Sequence, residues 1–240
     1  MGSRTRMCLL AMLAIVFGFS SVRVEAATVE TSVPFAIMID QATGNVLFEK
    51  KPDDRFAPAS VAKIMTAAVV FERIKAGQLT LEQTFPVSVH AWRTGGAPSR
   101  TSTMFAPVNS QVAVGDLLRG LIIHSANDGA IALAEGVGGS EEQFATLMND
   151  KARRLGLKNT EFGNPTGLPH PKQLTTARDL AVLARHVISA YPDFFEIYGT
   201  REFTFNNIRQ QNRNPLLGDF AGADGMKTGF IREAGYNLVA

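Results

Sequence analysis

The stretch Phe56-Ala57-Pro58-Ala59-Ser60-Val61-Ala62-Lys63-Ile64-Met65-Thr66-Ala67-Ala68 decides how the rest of the chain is read. Pro58 fixes its own φ and biases Ala57 away from the α region, so the Ala57–Ala59 segment reads as an approach to a helix. From Ser60 onward the residues are those of an apolar helix, predicted to run to about Lys75 with Gly77 as its stop. Lys63 follows Ser60 by three positions and therefore lies one turn on, along the same face. A hydroxyl and an amine come within reach of each other, and a desolvated amine can act as the base that activates the hydroxyl. Taken alone, the pattern reads more readily as an N-cap serine followed by a surface lysine, and two later stretches reverse that.

Composition narrows the classes. The chain has 240 residues, 45% of them apolar, enough for one large domain with its own core. Its 24 basic and 22 acidic residues nearly balance, which argues against a nucleic-acid partner. Arg4 and Arg6 precede an apolar run from Met7 to Phe19, and small residues close it at Val24-Glu25-Ala26. That is the layout of a secretory signal peptide spanning residues 1–26, with cleavage after Ala26. The run is short for a membrane span, and an uncleaved anchor is the alternative. The lone cysteine, Cys8, lies inside this segment. The remaining 27–240 domain would then hold no thiol, which excludes cysteine nucleophiles and cysteine metal sites.

Pro34 to Asp40 reads as a strand, and Val46 to Lys50 as its hairpin partner across the turn at Thr43-Gly44-Asn45. Leu79 to Val108, broken by Gly95-Gly96, Pro98 and Pro107, reads as loops with short elements, an excursion from the main body. Helical spacing covers Val114 to Ile123 and again Gly129 to Val137, with His124 to Asp128 between them. Ser140 and Gln143 form a capping box that opens a helix to about Leu155. Thr176 to Tyr191 is amphipathic and is stopped by Pro192, whereas Phe203–Phe205 and Gly225–Phe230 look like short strands. Strands at both ends with helices between suggest an α/β body whose first and last strands share one sheet.

Three short stretches then stand in order: Ser60-x-x-Lys63, Ser125-x-Asn127 and Lys227-Thr228-Gly229. Each has an ordinary structural reading, as a helix cap, an interhelical polar cap and a strand end. Together they match a serine acyl-transfer signature. Their surroundings, Phe56-Ala57-Pro58-Ala59-Ser60, Ser125-Ala126-Asn127-Asp128-Gly129-Ala130, Phe162-Gly163-Asn164-Pro165-Thr166-Gly167-Leu168 and Gly225-Met226-Lys227-Thr228-Gly229, resemble the low-molecular-mass D-alanyl-D-alanine carboxypeptidases. These belong to the penicillin-binding protein and serine β-lactamase superfamily.

The resemblance spans nearly all of residues 34–240 and implies a β-lactamase/transpeptidase-like fold, an antiparallel sheet with a helical subdomain. It implies removal of the terminal D-alanine from peptidoglycan stem pentapeptides, with β-lactams as inhibitors and no metal or cofactor. By the same resemblance Ser60 is the nucleophile, Lys63 its base and Ser125 a proton relay to the departing amine. Asn127 binds the substrate backbone, Lys227 and Thr228 take the terminal carboxylate, Gly229 admits the substrate against the strand, and the Phe230 N–H serves the oxyanion. The expected location is the periplasm at the outer face of the inner membrane, with inner-membrane association in a longer form.

His124 beside Ser125 invites a serine–histidine reading, but adjacent residues on a helix do not face each other and no G-x-S-x-G elbow exists. The histidines form no H-E-x-x-H zinc site. A class A β-lactamase is the rival within the superfamily. Glu161 and Asn164 are three apart where those enzymes have four, and Ala126 stands where they usually have Asp. The family pattern continues beyond the position of Ala240, so a C-terminally truncated domain lacking the last sheet strands and closing helix is expected. Phe230, Ile231 and the region of Val239 would then be exposed. The alternative to an active carboxypeptidase is accordingly a truncated domain without turnover.

Overall fold

Antiparallel hairpins open and close the described chain, and helices fill the space between them. The computed structural model describes residues 29–240, of which Val33–Ala240 gather around one core. The export segment read at residues 1–26 lies outside the described residues. Strands β1 (Ala36–Ile39) and β2 (Val46–Lys50) pair antiparallel around the turn at Gly44, whose φ of +79° is one that glycine adopts without strain. The chain then makes a 3₁₀ turn at Ala59–Ala62 and enters helix α1 (Lys63–Lys75). Gly77 ends that helix in the left-handed region, as its place in the sequence predicts.

Helix α1 is the axis of the core. Its residues Lys63 to Phe71 are all buried, so it has no solvent face until its last turn. Helices α3 (Val114–Ile123), α4 (Asn127–Gly138), α5 (Glu141–Arg154) and α6 (Ala177–Ala190) pack around it. The Ser140 hydroxyl accepts from the Gln143 N–H at 3.2 Å, and Thr176 caps α6 by accepting from Asp179 N–H at 3.1 Å. Pro192 does end α6, but it also opens the single turn Pro192–Phe195, because proline suits the first helical position.

The region from Leu79 to Val108 is no excursion. It supplies β3 (Thr84–Pro86), helix α2 (Val89–Gly95) and buried Phe85, Val87 and Ala91. Strand β3 pairs with β4 (Gln111–Ala113), and the Phe85 ring lies where a side chain on Gly136 of α4 would be. Strands β5 (Glu202–Phe205) and β6 (Ile208–Gln211) form a further hairpin. Its turn residues Asn206 and Asn207 both have positive φ, as the tightest hairpin turns require. The last pair is β7 (Lys227–Ile231) with β8 (Gly235–Val239).

The expectation of one sheet shared by the first and last strands is corrected. Among the described residues each strand pairs only with its sequence neighbour, giving four separate hairpins. Hairpins β1–β2 and β7–β8 both touch α6, yet no ladder joins them. Exposure of the last hairpin is also finer-grained than expected. Alternation along the strands turns Phe230, Tyr236 and Leu238 outward, while Ile231 and Val239 point back and are half-buried.

Candidate active site

Ser60 sits on a turn clamped between two glycines. Ala59, just before it, is buried with φ +50°, a conformation that costs a non-glycine residue about 1 kcal/mol or more. A side chain at Gly167 would come within 2.0 Å of the Ala59 carbonyl oxygen, and one at Gly229 within 2.9 Å of the Ser60 nitrogen. The loop before α6 and the edge of β7 therefore press on the serine turn from two sides. Ser60 lies inside the 3₁₀ turn and caps nothing with its side chain; Pro58 stands at the N-cap position.

The Lys63 amine, fully buried, faces three oxygens. These are Ser60 Oγ at 3.1 Å, Asn127 Oδ1 at 2.7 Å and the Thr166 carbonyl in a short contact. Burial drives its pKa well below the usual lysine range, the nearby Lys227 charge lowers it further, and buried Asp128 partly opposes them. A neutral amine has two N–H donors and one lone pair. Two of the three oxygens belong to carbonyls, which only accept, so they take the two N–H groups. The lone pair is left for the Ser60 hydroxyl.

The Thr166 carbonyl is held by a shaped loop. Asn164 Oδ1 accepts from Thr166 N–H, Thr166 Oγ1–H and Gly167 N–H, and its Nδ2 donates to the Leu168 carbonyl. Gln173 Oε1 accepts from Gly163 and Asn164 N–H, and Thr66 of α1 donates to the Pro165 carbonyl at 2.7 Å. Asn164 is thus occupied with loop structure, as its turn-rich context suggests. Glu161 is exposed and joins the loop through a backbone bridge to Leu174.

Ser125 ends the connection from α3 with φ +63°, and its buried Oγ has no hydrogen-bond partner among the described residues. Asn127 is not in an interhelical loop as expected; it is the first residue of α4. Its Nδ2 donates to Thr101 Oγ1 at 2.9 Å, and its backbone N–H donates to the Ser102 carbonyl. The next residue, Asp128, is wholly buried. Its carboxylate accepts from Thr103 Oγ1–H and from the N–H groups of Met104, Ala106 and Gly129. That carboxylate ties segment 103–106 to the head of α4. At Gly95 a side chain would meet the Asp128 nitrogen at 2.4 Å, so α2 can approach only because glycine is there.

Lys227 is buried at the start of β7 and donates to the carbonyl of its neighbour Thr228 at 3.1 Å. Burial and the Arg213 charge lower its pKa to about 7. Thr228 is half-buried, and the Phe230 ring turns away to meet the Tyr236 ring at 4.6 Å. Any part Phe230 takes in the site is therefore played by its backbone. His124 is committed elsewhere. Its Nε2 faces the Arg213 guanidinium at 3.1 Å, which can only donate, so Nδ1 carries the proton and donates to the Gln211 carbonyl. Burial lowers its pKa, in keeping with a neutral ring.

Of the residues expected in the site, the structure sets Ser60 and Asn127 on the Lys63 amine, Gly229 against the Ser60 nitrogen and the Lys227 charge near Lys63. Sequence reasoning missed the Thr166 carbonyl, Thr101, Asp128 and Gly167. Only Gly167, in a run of turn formers, left a signal; the others matter through backbone groups or partners far off in sequence.

Comparisons with known proteins identify the family. A family profile described as D-alanyl-D-alanine carboxypeptidase matches residues 21–240. D-alanyl-D-alanine carboxypeptidase DacC of Escherichia coli K12 is 48% identical over 206 residues, covering 85% of this chain and 52% of that protein. DacA of Haemophilus influenzae is 42% identical, covering 85% of this chain and 52% of that protein. The crystal structure of penicillin binding protein 5 from Haemophilus influenzae superposes with a TM-score of 0.85 at 40% identity, covering 89% of this chain and 62% of that one. The chain spans about half the length of the curated relatives it matches.

Proposed function

This chain belongs to the D-alanyl-D-alanine carboxypeptidase family, and from that premise we propose that it is a serine-type hydrolase removing the terminal D-alanine of peptidoglycan stem pentapeptides. The observation that carries the reading is the Lys63 amine, buried and lowered in pKa, with two carbonyl acceptors and one serine hydroxyl around it.

In this reading the neutral Lys63 amine takes the Ser60 proton as Oγ attacks the carbonyl between the two terminal D-alanines. The oxyanion forms against the N–H groups of Ser60 and Phe230. Collapse of the intermediate breaks the C–N bond, and the departing amine receives its proton through Ser125, whose hydroxyl has no hydrogen-bond partner among the described residues to hold it back. Lys227 and Thr228 receive the terminal carboxylate, and Asn127 Nδ2 has a second N–H for the substrate backbone. Gly229 lets the peptide lie along β7. Water then hydrolyses the ester on Ser60 and returns the proton. β-Lactams acylate the same serine.

A β-lactamase is disfavoured because Asn164 is spent on its own loop and Glu161 is exposed. The proposal extends to export by the segment at residues 1–26, action in the periplasm at the outer face of the inner membrane, and inner-membrane association of a longer form. The test is labelling with a fluorescent penicillin. Wild type takes the label and Ser60→Ala does not, and wild type releases D-alanine from a pentapeptide faster than it hydrolyses a chromogenic β-lactam. A folded wild type that takes no label overturns the acyl-transfer reading.

A further inference from the structure

We propose that Ser99 and Thr101 are positioning residues that fix which way round the Asn127 amide stands, and thereby leave the Lys63 lone pair for Ser60. The inference rests on the acyl-transfer reading above and follows from hydrogen-bond polarity along one chain of contacts. The Gly96 carbonyl can only accept, and Ser99 Oγ donates to it at 2.7 Å. The single Ser99 hydroxyl proton is thereby used. Ser99 Oγ and Thr101 Oγ1 are 2.7 Å apart, so in that contact Thr101 is the donor. With its own proton used, Thr101 Oγ1 can only accept at its remaining contact, 2.9 Å from the Asn127 side chain. The group facing it must therefore be Nδ2, and Oδ1 must face Lys63, at 2.7 Å.

Orientation is thus passed from a backbone carbonyl to the base through two hydroxyls and one amide. Local geometry supports the link. Arg100, between the two hydroxyl residues, has φ +55°, and the Thr101 N–H also donates to Ser99 Oγ, at 3.2 Å. The strained turn brings both hydroxyls to one side.

An Asn127 amide turned about would present Nδ2–H to Lys63. That N–H would occupy the lone pair, so Ser60 would lose its base. It would also remove an acceptor that stabilises the ammonium, so Lys63 would titrate at lower pH. The other charges facing this amine are Lys227 from β7 and Asp128 from α4, and both stay unchanged in the variants below.

The experiment measures the rate of acylation by a fluorescent penicillin across pH for wild type, Thr101→Val, Thr101→Ser and Ser99→Ala, with thermal unfolding as the folding control. Thr101 is exposed, so its valine variant should fold. The expected result is a plateau about tenfold lower in Thr101→Val, with the acid limb moved to lower pH. Thr101→Ser should match wild type, and Ser99→Ala should fall between. Thr101→Val acylating as wild type does, or slowing without any move of the acid limb, overturns the relay. So does equal loss in Thr101→Val and Thr101→Ser. If wild type itself takes no label, the acyl-transfer reading fails and the relay's role falls with it, an outcome distinct from the variant patterns.

Discussion

Two lysines are buried within one site, and their surroundings could hardly differ more. Lys63 lies on the helical wall, where the 3₁₀ turn at Ser60, the head of α4 and the loop at Thr166 give its amine three oxygens. Lys227 lies on the β7–β8 wall and donates to a neighbouring carbonyl, with Arg213 adding further positive charge. The first site is complete as it stands and suits a neutral amine. The second gives its amine the Thr228 carbonyl, on the wall where the proposed reading seats the substrate carboxylate. The same burial thus serves two ends, because buried charge is tolerated only where it is neutralised or paired.

The strongest way to break this contrast is Lys63→Met. It keeps the volume and removes the proposed base, so acylation by penicillin should fall by about 10³-fold or more with the fold intact. Retention of rapid acylation would show that another group activates Ser60. Lys227→Met should instead act on recognition. The expected loss is about 10²-fold in kcat/KM for a substrate with a free terminal carboxylate, and much less for its amide.

The next effect is on pH. With Lys227 at about 7, affinity for the carboxylate should weaken as pH rises above 7 and the free enzyme loses that charge, whereas acylation needs neutral Lys63 and strengthens as pH rises. The two limbs should give a bell-shaped kcat/KM, and Lys227→Met should remove the alkaline one. Stability carries the same signature with a definite sign. In the folded state Lys227 titrates near 7, below the unfolded lysine value of about 10.5, so the unfolded chain binds more protons between those limits. Thermal stability should therefore rise as pH increases from 7 towards 10, and Lys227→Met should flatten that rise.

Gly229→Ala probes the junction of the two walls. Its Cβ would press on the Ser60 nitrogen at 2.9 Å, so a destabilisation of about 1–3 kcal/mol with slower acylation is expected, read by denaturant unfolding and labelling. The smallest effect should come from Tyr236→Ser. Its ring is exposed and touches Phe230, so stability should change by less than about 1 kcal/mol and acylation very little.

The hairpin β1–β2, helix α1 with its glycine stop and the capping box at Ser140 were all legible in the chain, because each depends on residues within one turn of each other. So was the order of the three short motifs, from which the fold sets Ser60 and Asn127 on the Lys63 amine with the Lys227 charge nearby. The helical part of Leu79–Val108 and the strands β4, β6 and β8 were not. Their short runs have no strong period, and they are fixed by partners such as Phe85 on Gly136.

What the sequence determined by itself, then, is which side chains are candidates for the chemistry and which helix follows the serine turn. Propensity, capping and spacing act locally and can be read in one dimension. What only the tertiary structure decided is the state of those groups. The polarity at Lys63 comes from the Thr166 carbonyl and from an Asn127 amide held by Thr101, and the exposed charge balance says nothing of the burial that lowers both lysines. Desolvation and hydrogen-bond direction are properties of neighbours in space, and the Thr166 carbonyl stands 103 positions from Lys63 along the chain.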